Sequence, residues 1–130
     1  MSAFTVELNN RPGQLAQLCE VMAARHINIV LTGIAYGERG TIAFIADDET
    51  AARTALTDAD IQFAERPALT VRLDNVPGAG AAAFRALADA AVNVELLLPV
   101  RVSDEDYFAV ICVKDLEAAA RALGERVVSD

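Results

Sequence analysis

Apolar and polar residues alternate from Phe4 to Leu8, the period of a strand with one buried face. Beyond Arg11-Pro12-Gly13 the period changes. Leu15, Leu18, Cys19 and Met22 recur at helical spacing and predict a helix that ends near Arg25-His26. The β-branched run from Ile27 to Ala35 predicts a second strand, Tyr36-Gly37-Glu38-Arg39-Gly40 a turn, and Thr41 to Ala46 a third strand. Acidic capping residues at Asp47-Asp48-Glu49 then open a helix from Ala51 to Leu56, and Ile61 to Phe63 supplies a short fourth strand. The order is β-α-β-β-α-β.

After Glu65-Arg66-Pro67 the pattern begins again. Phe4 to Leu31 aligns with Leu69 to Leu96 with ten identities in 28 positions, and Asp48 to Leu56 matches Asp115 to Leu123 after a two-residue insertion. The second copy predicts strands at Leu69 to Leu73, Val92 to Val102 and Tyr107 to Val113, and helices from Pro77 to Ala91 and Asp115 to Leu123. Arg126-Val127-Val128 offers at most a stub of a last strand. The chain therefore divides into units 1–66 and 67–130. With right-handed crossovers, such a unit is an α+β, ferredoxin-like sheet of strand order 4-1-3-2 with both helices on one face. Pairing of the two second-strand edges would extend the units into one eight-stranded sheet and cover apolar edges.

Composition narrows the function. A net charge of -8 opposes contact with a phosphate backbone, so nucleic acid is not an expected partner. No apolar run approaches the eighteen or so residues of a membrane helix, and the start of the chain lacks the basic and apolar regions of a secretory signal, so a cytoplasmic location is expected. Cys19 and Cys112 fit no metal or redox spacing and are expected to be core residues. Neither a metal nor a cofactor is expected. Gly33, Gly37 and Gly40 lack the helix and the Lys-Ser or Lys-Thr of a phosphate loop, and read as a bulge and a hairpin turn. Asp104-Glu105-Asp106 reads as a solvated hairpin and His26 as a structural helix end.

The duplicated stretch itself carries the chemistry. Leu8-Asn9-Asn10-Arg11-Pro12-Gly13 returns 65 residues later as Leu73-Asp74-Asn75-Val76-Pro77-Gly78, each copy turning a strand into a helix. Proline pre-sets φ for the first helical turn and glycine permits close approach of the backbone, so unpaired helix amides face outward. Such a corner suits a small anion, and an asparagine beside it adds a donor and an acceptor without charge. Bland readings exist for each asparagine: Asn10 and Asn75 as helix caps, Asn28 and Asn93 as left-handed helix exits. Two corners imply two sites, or one site and its relic.

Asn-Arg-Pro-Gly-x-Leu, followed at a fixed distance by Asn-Ile, resembles the ACT domain, a small regulatory module of amino-acid metabolism. Both repeats carry it, so the chain resembles a stand-alone tandem ACT protein. The resemblance implies a free amino acid bound where two units meet, with Asn10, Arg11, Gly13, Gln14, Leu15 and Asn28 at the first site and Asn75, Gly78, Ala79 and Asn93 at the second. It further implies no catalysis, and a partner enzyme or a homodimer to receive the signal. Gly80 stands where Leu15 stands in the first repeat, which predicts a looser second corner. Tyr36 and Arg101 are expected to tune side-chain selectivity. A scaffold without a ligand, and a small acyl-phosphate hydrolase using Arg11 and Asn28, are the competing readings.

Overall fold

A computed structural model describes residues 1 to 128. It resolves into two compact units, Ser2–Arg66 and one from Pro67 onward. The first unit contains β1 (Ser2–Asn9), α1 (Gln14–Ala23), β2 (Ile29–Tyr36), β3 (Arg39–Ala46) and α2 (Glu49–Asp58). β3 lies between its neighbours and is antiparallel to both, with Phe4 opposite Phe44 and Leu31 opposite Phe44. This is the 1-3-2 order expected.

The expected fourth strand is absent at Ile61 to Phe63. Instead one strand, β4 (Ala64–Asp74), begins in the first unit and continues into the second, so the expected connector is itself strand. The second unit continues with α3 (Ala79–Asp89), β5 (Leu96–Val102), β6 (Asp106–Cys112), α4 (Leu116–Leu123) and a short 3-10 turn, Gly124–Arg126. β6 pairs with both β4 and β5. Val127 makes only an isolated bridge to Val71, the stub that the short C-terminal stretch allowed. Merging of two strands and loss of the last one leave six strands among the described residues rather than eight.

Each unit buries the helix-facing side of its strands. Phe4, Val6, Ile42 and Phe44 meet Leu18, Met22, Ala52 and Leu56 in the first core, with the Phe4 and Phe44 rings stacked at 5.3 Å. Val71, Leu73, Ala109 and Ile111 meet Ala83, Leu87, Ala119 and Leu123 in the second. Among the described residues no polar side chain is buried, so nothing polar interrupts either core.

Helix ends repeat as faithfully as the cores. Asp48 caps α2 by accepting from the Ala51 N–H at 3.0 Å, and Asp115 caps α4 by accepting from Ala118 at 3.0 Å. α1, α2 and α3 all exit through a left-handed residue, His26, Asp60 and Ala91. In each case the next residue, Ile27, Ile61 or Val92, donates back to the carbonyl of Met22, Leu56 or Leu87, and its apolar side chain turns inward. That is the Schellman exit. The left-handed position is therefore His26 or Ala91, two residues before the asparagines for which it was expected. Val92 to Glu95 precede β5 rather than belonging to it.

Candidate functional site

The two Pro-Gly corners share one geometry. Gly13 has φ 91° and ψ -14°, and Gly78 has φ 91° and ψ -16°. With Gln14 N–H donating to the Arg11 carbonyl at 3.3 Å, and Ala79 to Val76 at 3.3 Å, each is a type II turn: proline at its second position, glycine at its third. The proline thus shapes the turn before the helix and not the first helical residue. The glycine is required by its positive φ alone, since a Cβ there would meet nothing within 4 Å.

Neither asparagine caps a helix. Asn10 donates its side-chain amide to the Gly37 carbonyl at 2.9 Å, and its backbone N–H to Glu38 at 2.8 Å, which ties the corner to the β2–β3 turn. Asn75 does the same with Ser103 at 2.7 Å and Glu105 at 2.9 Å. The amide oxygen of each is left as an acceptor. Among the described residues, the N–H groups of Leu15 and Ala16 have no carbonyl acceptor, the usual condition of a first helical turn.

At the first corner these groups border a cavity of about 300 Å³ lined by Asn9, Asn10, Arg11, Gln14 and Leu15 at one end and by Leu8, Leu31, Gly33, Ile34, Ala35, Gly40 and Ile42 at the other. Its origin lies in the cross-strand register. Leu8 faces Gly40, which faces Ala35; Val6 faces Ile42, which faces Gly33. Three small residues on the helix-facing side leave the sheet uncovered beneath α1. The β2–β3 pairing is continuous at Gly33, so the expected bulge is not there; the register shift occurs in β5, between Pro99 and Arg101. Gly37, with φ 67°, makes the hairpin turn as expected.

The same register in the second unit carries larger side chains at the three small positions and a smaller one, Ala109, in place of Ile42. Leu73 faces Tyr107, which faces Val102; Val71 faces Ala109, which faces Pro99. Tyr107 packs against the second core. Gly80 does not open this corner either, because the Phe84 ring stands 3.6 Å from where its Cβ would be. Leu73, Asp74 and Ala79 of this corner border a cavity of about 340 Å³ whose remaining wall is largely charged, with Arg72, Glu125 and Arg126.

Electrostatics separate the corners further. At the first, Arg39 donates to Asn9 Oδ1 at 2.7 Å and lies 3.4 Å from Glu7, while Arg11 makes no ion pair among the described residues. At the second the polarity is exchanged: Arg72 donates to Asp106 at 2.7 Å and to Asp74 at 3.0 Å, and these hydrogen bonds hold its guanidinium still more firmly protonated. Val76 replaces Arg11, and Asp104 and Glu105 adjoin. An incoming carboxylate meets a free cation at the first corner and an excess of carboxylates at the second.

Asn28 stands apart from Asn10. The corner lies beside the Tyr36 and Arg39 pair, whereas Asn28 precedes Ile29 at the other end of β2, about 25 Å away at the usual rise per strand residue. Its backbone N–H donates to Asp47 Oδ1 at 3.0 Å. Arg11 and Asn28 therefore share no site within the unit. Asn93 borders a separate cavity of about 210 Å³ with Glu95, Lys114 and Asp115. Tyr36 is exposed on the hairpin outside the corner cavity, and Arg101 stacks over the Phe108 ring at 4.3 Å. The apolar wall of the cavity was not legible as a site; the one available sign was Gly40 in the first repeat against Tyr107 in the second.

Comparison with known proteins agrees with this architecture. A family model described as an ACT domain pair matches residues 1–121. Among solved structures, the chain is similar to protein BT0572 from Bacteroides thetaiotaomicron, with 24% identity and a TM-score of 0.85 over 97% of this chain and 88% of that one. It is also similar to the regulatory subunit of aspartate kinase from Thermus thermophilus in its ligand-free form, with 23% identity and a TM-score of 0.70 over 96% and 91%. The regulatory subunit from Thermus flavus has 22% identity and a TM-score of 0.68 over 96% and 90%. At such identities the likeness is one of fold. No curated protein matches the chain. With the family match spanning nearly all of the sequence, and two βαβ-βα repeats each turning on a Pro-Gly corner, the chain belongs to the ACT domain pair family.

Proposed function

We propose that this chain is a regulatory module that binds a free amino acid at the first Pro-Gly corner and passes the binding on to a partner enzyme or a second copy. The observation that carries the reading is the cavity of about 300 Å³ at the first corner, with a type II turn, unpaired helix amides and the unpaired Arg11 at one end. That volume is at the lower end of the range for small-molecule pockets. The ligand's carboxylate is received by Arg11 and the first-turn amides of α1, where the helix dipole adds to the attraction. Its ammonium group is received by the Asn10 amide oxygen, which the bond to Gly37 holds in place. Gly13 sets the turn, and Gln14 and Leu15 border the mouth. Likeness of fold to regulatory subunits of aspartate kinase supports a regulatory rather than a catalytic role.

Calorimetric titration with each of the twenty amino acids tests this. At least one is expected to bind at micromolar to millimolar concentration. Arg11→Gln should weaken it about tenfold, the loss of one charge-assisted bond at a partly exposed site. Absence of heat from all twenty at millimolar concentration would sink the reading.

A further inference from the structure

We propose that the first corner selects amino acids with uncharged aliphatic side chains of valine to leucine size. The proposal rests on the amino-acid-binding reading above and concerns the other end of the same cavity. Beyond its polar rim the wall is made by Leu8, Leu31 and Ile42 from the strands, with Leu15 at the side. No carboxylate lines the cavity, and Arg11 is its single cation. A lysine or arginine ligand would bring a second cation into apolar surroundings with no partner, and an aspartate or glutamate would bring two carboxylates to one guanidinium. An aliphatic side chain loses no hydrogen bond on entering. An exposed apolar side chain points to the same occupant, since Leu15 is 44% accessible at the mouth.

Depth is set by the small residues. A Cβ on Gly33 would lie 2.4 Å from Ile42 Cδ1, and one on Gly40 would lie 3.3 Å from the Ala35 Cβ, so the floor is already packed and only the missing side chains make room. The second unit fills the equivalent of Gly40 with Tyr107, which makes Gly40→Tyr a change this fold already tolerates at that register position.

The experiment is competitive titration of the full chain with alanine, valine, leucine, lysine, aspartate and serine. Each buried methylene adds about fourfold in affinity, so leucine is expected to bind at least tenfold tighter than alanine, with lysine and aspartate weaker than alanine. Gly40→Tyr should weaken leucine at least tenfold while circular dichroism stays unchanged. Leu15→Asn, at a half-exposed position on α1 beside the cavity, should lower the leucine to alanine affinity ratio severalfold. Lysine, aspartate or serine binding more tightly than leucine would overturn the selectivity and leave the amino-acid-binding reading intact. An unaltered leucine to alanine ratio in Leu15→Asn would also overturn it. No binding by any of the six or by the remaining amino acids would overturn both.

Discussion

At the scale of single residues, backbone conformation accounts for more of this protein than side-chain chemistry. Gly13 and Gly78 are held at φ 91°, where an L side chain is strained, so Gly13→Ala should lower stability by about 1 kcal/mol or more, measured by urea unfolding. Ala91 presents the opposite case. It is not a glycine, yet it has φ 59° at the exit of α3, so Ala91→Gly should raise stability by about 0.5–1 kcal/mol. Glu65 makes a residue-level prediction of its own. It accepts from Arg53 at 2.9 Å, and this hydrogen bond, first among several causes, holds its carboxyl below the usual carboxylate range. A depressed folded-state pKa contributes stability above the unfolded value, near 4.3, that is lost as pH falls through the folded one. Glu65→Gln should therefore cost less than about 1 kcal/mol at pH 7, as exposed pairs do, with the difference from wild type vanishing in acid; pH-dependent urea unfolding would read it.

At the scale of elements, the sequence pattern located all four α-helices and all but two of the eight expected strand positions, because period and capping are local properties. Asp48 illustrates this: the acidic run before Ala51 marked a helix start, and the carboxylate does accept from the Ala51 N–H. Asp48→Ala should cost about 1 kcal/mol in thermal or urea unfolding, with Asp115→Ala similar in the second unit. The errors are also instructive. Pro12 was expected inside the helix, but the positive φ of Gly13 makes a type II turn, which places proline two residues earlier. Ile61 to Phe63 was expected to be a strand, but the Schellman exit of α2 uses Ile61 to close the helix, and the strand starts only at Ala64. In both cases a turn decided the boundary, and turn type depends on one or two dihedral angles that hydrophobic period does not report.

At the scale of the whole molecule, duplication supplied two copies of one corner, and divergence gave the first a cavity with an apolar wall and the second one with a largely charged wall. If an amino acid binds there, it should stabilise the folded chain by mass action, about 2.7 kcal/mol at one hundred times Kd, and raise the unfolding midpoint with ligand concentration. Arg11→Gln should reduce that shift at any given concentration, which scanning calorimetry would show. The residues by themselves determined the repeat, the antiparallel α+β units, the cores, the helix caps and the presence of a polar corner, since each follows from short-range spacing and from burial of an apolar face. Only the tertiary structure decided which corner's cavity has an apolar wall. Gly33, Ala35 and Gly40 are far from Asn10 and Leu15 in the sequence and become one cavity through strand register, while Tyr107 and Val102 occupy the matching positions in the second unit. Separation by register also took Asn28 to the far end of β2. Cross-strand pairing joins residues by geometry rather than by spacing along the chain, so a repeat visible in the sequence can conceal two different surfaces.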